Sequence, residues 1–171
     1  MSTSTPSAVG LIGLGAMGLG MAQSLRRAGF APHVFDIRKE VAQSFAKDGG
    51  HACDSLSHMA QHCDVIFSVV VNAAQTESIL FGQDGLADHM RPGAVFVMCS
   101  TVDPNWSAAL ETRLADKGLL YLDSPISGGS VRAANGEITM MTGGQPQAYE
   151  KAEPFMQAMA CLLYTSDAAD E

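Results

Sequence analysis

The stretch "AVGLIGLGAMGLGMAQSL", residues 8–25, determines the fold that we predict for this chain. Its apolar start has the composition of a buried β-strand, and residues 16–29 have the composition of a helix. Between the two lie Gly13, Gly15 and Gly18, in the pattern Gly-x-Gly-x-x-Gly. A strand, a glycine-rich turn and a helix in this order predict a site for the phosphates of a dinucleotide.

Each glycine has a distinct role in that prediction. Gly13 lets the backbone turn sharply off the strand, Gly15 lets a pyrophosphate approach the main chain, and Gly18 lets the helix pack close to the sheet. The helix N-terminus offers free N–H groups and a partial positive charge to the phosphates. Asp36, at the end of the next predicted strand, is placed to bind the hydroxyls of the adenosine ribose. The alternative is a glycine-rich turn of an α/β protein that binds nothing.

The rest of the chain alternates between apolar, β-branched runs and helix-like segments. The predicted strands are residues 8–13, 33–37, 64–71, 94–100, 119–124 and 137–144. The predicted helices are residues 16–29, 39–49, 55–63, 75–82 and 104–117, the last capped by Thr101 or Asp103. Strands that are apolar on both faces and separated by helices predict an α/β fold with a doubly wound, parallel, Rossmann-like sheet.

Composition excludes several classes of protein. The chain has 171 residues, of which 47% are hydrophobic and 16% charged, and a formal net charge of −8. No Lys/Arg cluster indicates a nucleic-acid surface, and no apolar run reaches the length of a membrane span. The first ten residues lack the features of a signal peptide, so we expect a cytoplasmic protein.

The cysteine and histidine residues give little indication of a site. Cys53, Cys63, Cys99 and Cys161 form no CxxC pair and are expected to be reduced thiols. Cys99 has no histidine in a recognisable partner motif, so we expect a buried strand residue and not a nucleophile. A metal site would have to draw on His51, Cys53, His58, His62 and Cys63. Their spacing favours solvated histidines on a surface helix, and we predict no metal.

Four motifs in order resemble the β-hydroxyacid dehydrogenases, which include 3-hydroxyisobutyrate dehydrogenases, tartronate semialdehyde reductases and L-threonate dehydrogenases. They are the glycine motif with the helix after it, "CSTVDP" (99–104), "DSPISGG" (123–129) and "GEITMMTGG" (136–144). The resemblance covers residues 8–160. The run "VVNAAQTESILFG" is most similar to the L-threonate dehydrogenase branch, although Val70-Val71 replaces the Leu-Pro of most relatives.

The resemblance implies the cofactor NAD and a role for each matching residue. The residues implied to bind the ADP half of the cofactor are Gly13, Leu14, Gly15, Ala16, Met17, Gly18 and Asp36. Val70 and Val71 would line the cofactor cleft, Gln75 would contact the cofactor, and Thr101 would lie beside the nicotinamide. Ser127, Gly128 and Gly129 would bind the carboxylate of a small hydroxy acid through a hydroxyl and backbone N–H groups.

Two classes of function remain open at this stage. One is NAD-dependent oxidation of a small β-hydroxy acid, with L-threonate favoured over the substrates of the other two branches. The other is a non-catalytic dinucleotide-binding module. Full-length members of the family are expected to be homo-oligomers.

The resemblance also implies a catalytic lysine in a Gly-x-x-Gly-x-Gly-x-x-x-Lys-x-x-Asn pattern, which these 171 residues do not contain. We therefore expect a domain at residues 1–160, without the family's helical second domain, and no activity from the chain alone. The last residues, "CLLYTSDAADE" (161–171), match the translation of a transposase adapter used in sequencing libraries. We expect them to be non-native, the alternative being a genuine C-terminal tail.

Overall fold

The computed structural model describes residues 7–167. The strands are β1 (Val9–Ile12), β2 (His33–Phe35), β3 (His51–Ala52), β4 (Val65–Ser68), β5 (Val95–Met98), β6 (Leu120–Asp123), β7 (Ile126–Ser127), β8 (Ile138–Gly144) and β9 (Ala160–Asp167). The helices are α1 (Ala16–Arg27), α2 (Lys39–Ala46), α3 (Leu56–His62), α4 (Ala73–Phe81), α5 (Pro104–Ala115), α6 (Gly129–Asn135) and α7 (Pro146–Met159). A 3-10 turn spans Leu86–Asp88.

The strands form one sheet with helices on both faces, which confirms the doubly wound α/β fold. Strands β3, β2, β1, β4, β5 and β6 are neighbours in that order, and each of these pairs is parallel. Alternate strand residues point to two apolar cores. One core packs against α1, α2, α6 and α7, and the other packs against α3, α4 and α5.

The far end of the sheet is not parallel throughout, which corrects the prediction of a parallel sheet at this edge. Both β6 and β7 pair antiparallel with β8 in one continuous register, from Leu122 opposite Gly144 to Ser127 opposite Thr139. They therefore act as one interrupted strand along a single edge of β8. The connection over residues 128–137 is shorter than the dozen or so residues that a parallel crossover needs, so the chain returns antiparallel.

Strand β9 extends the sheet past residue 160, where we expected the domain to end. It pairs in parallel with β8 after the crossover helix α7, with a register shift between Ile138 and Thr139. The alternation in "CLLYT" supports a strand here, because Leu163 is partly buried whereas Leu162 and Tyr164 are exposed. The non-native origin of residues 161–171 remains a prediction, and residues 168–171 lie outside the described part of the chain.

Candidate functional site

A cleft of about 410 Å³ lies at the carboxyl ends of β1, β2 and β4. This is where the strand order reverses. The chain adds β2 and β3 on one side of β1 and then crosses back to add β4, β5 and β6 on the other side. Ligands of open α/β sheets bind at such a reversal. The residues that line the cleft are Ile12, Gly13, Gly15, Phe35, Asp36, Ile37, Arg38, Val69, Val70, Val71, Gln75, Ser78 and Ile79.

Two of the motif glycines are required by the protein's own packing. Gly13 has φ +94°, and a side chain there would collide with the backbone carbonyl of Val69. Gly18 is buried, and a Cβ at this position would overlap the carbonyl oxygen of Gly13. The turn and the close approach of α1 to the strand therefore need glycine at both positions, as predicted.

Gly15 differs, because no neighbouring protein atom requires glycine there. A Cβ on Gly15 would have no atom of residues 7–167 within 4 Å and would project into open space at the edge of the cleft. Its φ of −73° is accessible to any residue. A position that the fold leaves open and the sequence leaves without a side chain fits a backbone cradle for a ligand's pyrophosphate.

The N-terminus of α1 supplies the donors for that cradle. Gly15 is the N-cap residue, and no side chain caps the helix. The Leu19 N–H donates to the Gly15 carbonyl at 3.0 Å, so the amides of residues 16–18 precede the first intrahelical bond. These N–H groups and the positive end of the helix dipole fit an anion.

Asp36 ties the glycine turn to the end of β2. Its carboxylate, 8% exposed, accepts hydrogen bonds from the Leu14 N–H at 2.8 Å, the Arg38 N–H at 2.8 Å and the Arg38 Nε at 3.1 Å. Burial by itself raises the pKa of Asp36, but the bonds from Arg38 and Leu14 outweigh it, so the pKa lies below its ordinary value. A carboxylate that is charged at neutral pH, at this edge of the cleft, fits a ribose, whose hydroxyls are donors.

Two side chains hold the segment that closes the cleft after β4. The Val71 N–H donates to Gln75 Oε1 at 2.7 Å, and Ser100 Oγ donates to the Val70 carbonyl at 2.7 Å. Gln75 thus orders the cleft wall from within α4, and Ser100, 4% exposed, orders it from the neighbouring strand end. Ser100 was not predicted as a site residue, since its only signal in the sequence is its place beside Thr101 after a buried strand.

The predicted cofactor residues are largely brought together. The lining set includes Gly13, Gly15, Asp36, Val70, Val71 and Gln75. Leu14 is not part of the lining: its side chain is buried, and its N–H donates to Asp36. Ala16, Met17 and Gly18 form the first turn of α1. Thr101 is exposed beyond the end of β5 and is not part of this lining.

The predicted substrate residues lie outside this cleft, at the turn from β7 into α6. Ser127, Gly128 and Gly129 are all exposed. Gly128 and Gly129 have φ of +137° and +81°, so both positions favour glycine for the turn itself. Their binding of a carboxylate stays a prediction.

Among residues 7–167, the cysteine and histidine side chains supply neither a metal cluster nor an activated thiol at Cys99. No group of three or more His, Cys, Asp or Glu side chains there is arranged to hold a metal ion. Cys99 is buried, and burial raises the pKa of its thiol to about 12, which leaves it protonated and unreactive at neutral pH.

Comparison with known proteins relates this geometry to a family. Residues 8–166 match the family model described as the NAD binding domain of 6-phosphogluconate dehydrogenase. The chain is 52% identical to an L-threonate dehydrogenase of Cupriavidus necator over 94% of its own length and 54% of that protein. It is 38% identical to the L-threonate dehydrogenase of Escherichia coli K12, over 96% of this chain and 55% of that one.

A solved structure shares the fold closely. It is described as 3-hydroxyisobutyrate dehydrogenase from Salmonella typhimurium, with a TM-score of 0.89 and 34% identity over 94% of this chain and 56% of that one. The chain thus spans about half the length of the curated relatives it matches. Within the described residues, no helix is both long and apolar enough to cross a membrane.

Proposed function

The chain belongs to the NAD-binding domains of the 6-phosphogluconate dehydrogenase and β-hydroxyacid dehydrogenase family, and from this premise we propose that it serves the NAD-dependent oxidation of L-threonate. The observation that carries the proposal is the 52% identity to an L-threonate dehydrogenase, which extends over nearly the whole chain. The cleft supports it, because six of the eleven predicted cofactor residues line it at the point where the strand order reverses.

In this proposal the residues of the cleft bind the cofactor and orient it. The backbone of residues 15–18 holds the pyrophosphate, and Asp36 accepts hydrogen bonds from the adenosine ribose. Val70 and Val71 would form an apolar wall, and the family resemblance implies that Thr101 would lie beside the nicotinamide. Bound NAD supplies an acceptor for the hydride that leaves the hydroxyl-bearing carbon.

The substrate would be oriented by the turn at Ser127. The Ser127 hydroxyl and the N–H groups of Gly128 and Gly129 bind its carboxylate, which directs the hydroxyl-bearing carbon toward the cofactor. The family resemblance implies a lysine that accepts the hydroxyl proton. No lysine of the described residues lines the cleft, so the cleft residues act by binding and orientation.

A second candidate substrate is 3-hydroxyisobutyrate. The specific observation in its favour is the TM-score of 0.89 to a structure described as a dehydrogenase of that acid. Both acids carry a carboxylate and a hydroxyl on a short chain, so the same turn would receive either.

The test joins residues 1–160 to the C-terminal half of the Cupriavidus necator relative and measures NADH formation with L-threonate, 3-hydroxyisobutyrate and D-glycerate. We expect the highest kcat/KM with L-threonate. Ser127→Ala should raise the KM for the acid without changing the affinity for NAD, whereas Ser130→Ala, an exposed neighbour, should change neither. A preference for another acid, or an unchanged KM in Ser127→Ala, contradicts the proposal.

A further inference from the structure

Helices α1 and α6 pack against each other at backbone distance. A Cβ at Gly20 of α1 would lie 2.5 Å from the Ala134 backbone nitrogen and 2.9 Å from the Ala133 Cβ. Real Cβ atoms do not approach a backbone so closely, so α6 occupies the space that any other residue at position 20 would fill. Gly20 is not one of the three glycines of the dinucleotide motif.

A buried hydroxyl fastens the same contact one turn further along α1. Ser24 is 1% exposed, and its Oγ donates to the Ala133 carbonyl at 2.7 Å. The Arg27 guanidinium donates in turn to Ser24 Oγ at 3.2 Å. Because residues four apart share a helix face, Gly20 and Ser24 form one docking stripe for α6.

The two helices lead to the two halves of the candidate site. α1 begins at the glycine turn that borders the cofactor cleft, and α6 begins at Gly129, in the predicted carboxylate-binding turn. The strand before that turn, β7, pairs with β8 at Ile126 and Ser127, and the Met141 N–H donates to the Pro125 carbonyl at 3.0 Å just before it. These bonds hold residues 128 and 129 from the strand side, and the docking of α6 on α1 holds them from the helix side.

We propose that Gly20 and Ser24 are positioning residues. They fix the position of the turn at residues 127–129, the proposed substrate turn, relative to the cofactor cleft. When NAD binding makes the N-terminus of α1 more rigid, the contact of Gly20 and Ser24 with α6 restrains α6 as well, and residues 127–136 become more ordered. The substrate role of the turn rests on the proposed function, but the mechanical link does not, since it depends only on the contact between the helices.

The test is hydrogen exchange of the full chain, measured by mass spectrometry with and without NAD, on the wild type, Gly20→Ala and Ser24→Ala. Ser24→Ala keeps the helix and removes one hydroxyl, so it remains informative if Gly20→Ala folds poorly. The control is Leu110→Ala, which opens a cavity on the opposite face of the sheet and destabilises the protein without touching either helix.

Without ligand, we expect residues 127–136 to exchange about 2–10-fold faster in Ser24→Ala, as the loss of one hydrogen bond implies, and faster still in Gly20→Ala. With NAD, exchange in the wild type should slow at residues 13–18 and at 127–136. Gly20→Ala and Ser24→Ala should keep the slower exchange at residues 13–18 and lose it at residues 127–136. Leu110→Ala should keep the slower exchange at both segments.

The inference is overturned if, without ligand, residues 127–136 exchange at the wild-type rate in Gly20→Ala and Ser24→Ala. It is also overturned if NAD still slows exchange at residues 127–136 in both variants. Loss of that protection in Leu110→Ala overturns it too, since general destabilisation would then suffice. If NAD protects neither segment of the wild type, the proposed function fails, and the ligand-free comparison alone decides the inference.

Discussion

The three glycines of the motif differ in whether the protein's own packing requires a residue without a side chain. Gly13 and Gly18 are glycines because backbone atoms occupy the places where their side chains would be. Gly15 has ordinary dihedral angles and free space around it. Packing therefore requires glycine at two positions but not at the third, where we propose that it gives a ligand access to the backbone, and substitutions can distinguish the two cases.

Gly15→Val is expected to abolish NAD binding while the fold persists. As a helix N-cap, valine is poorer than glycine, so the free energy of unfolding should fall by about 1 kcal/mol. The branched side chain would occupy the place of the pyrophosphate, and affinity for NAD should drop by about 100-fold or more. Urea unfolding and an NAD titration measure the two effects.

The matched control for this prediction is Gly18→Ala. It places a methyl group against the Gly13 carbonyl, and we expect it to destabilise the fold by about 1–3 kcal/mol or more. NAD affinity unchanged in Gly15→Val would mean that the glycine turn does not hold phosphates.

Asp36 is expected to make the chain prefer NAD to NADP. A 2′-phosphate about 4 Å from this carboxylate would be repelled by roughly 4 kcal/mol per pair of charges at an effective dielectric of 20, before screening. Arg38, bonded to Asp36 and 55% exposed on its side chain, offsets part of this repulsion. Titration of both cofactors measures the preference, and tighter binding of NADP would refute it.

Asp36→Asn should reduce the difference between the affinities for NAD and NADP, and it should also lower the stability of the fold. An amide offers one acceptor oxygen, so the bonds from Leu14 and Arg38 cannot both persist. We expect a loss of about 1–3 kcal/mol in the free energy of unfolding.

Among the secondary-structure elements, the edge formed by β2, β3 and α3 carries a ladder of imidazoles. The His33 ring stacks on His51 with centroids 4.5 Å apart and on His62 at 5.9 Å, and His58 meets His62 at 4.6 Å. Sequence analysis correctly predicted that His58 and His62 lie on an exposed helix face. It could not show that two strands bring His33 and His51 to the same place.

This edge should make the fold less stable at mildly acid pH. Burial and the neighbouring His51, His62 and His58 lower the pKa of His33 from 6.5 to about 4. The unfolded chain therefore binds a proton that the folded chain rejects, and stability falls as the pH drops from about 6.5 to 4. After discounting for solvent screening, we expect a loss of about 1–2 kcal/mol.

Thermal unfolding across that pH range, compared between the wild type and His33→Phe, tests this prediction. The variant keeps an aromatic ring at position 33 but does not titrate, so its stability should decline less steeply. His89→Gln, outside the ladder, should behave as the wild type does. Parallel pH profiles of the wild type and His33→Phe would rule out the effect.

At the scale of the whole molecule, the described residues contain the proposed cofactor cleft and, apart from it, the exposed turn at residues 127–129 that we propose for the substrate. We predict that the 171-residue chain alone binds NAD but forms no NADH from L-threonate. Proton transfer by a general base contributes about 10²–10⁴-fold to such reactions, and no lysine lines the cleft. Turnover by the chain alone, measured by NADH absorbance, would contradict this prediction, and the joined protein described above is the positive control.

The fold class, the glycine turn and six of the thirteen residues that line the cleft could be predicted from the sequence. These features are local: strand and helix periodicity, three glycines and an acidic residue at fixed spacings, and the Asp103 cap, whose carboxylate accepts bonds from the first turn of α5. The helix at 146–159 was not predicted, although its buried residues, Ala148, Ala152, Phe155, Met156 and Met159, do follow the helical period. Tertiary contacts set the antiparallel edge, the pairing of β9 with β8 and the docking of the helix at 129–135. They also give Gly20, Ser24, Ser100 and His33 their roles. Each of these contacts joins segments far apart in the chain, and it leaves no periodicity in either segment from which it could be predicted.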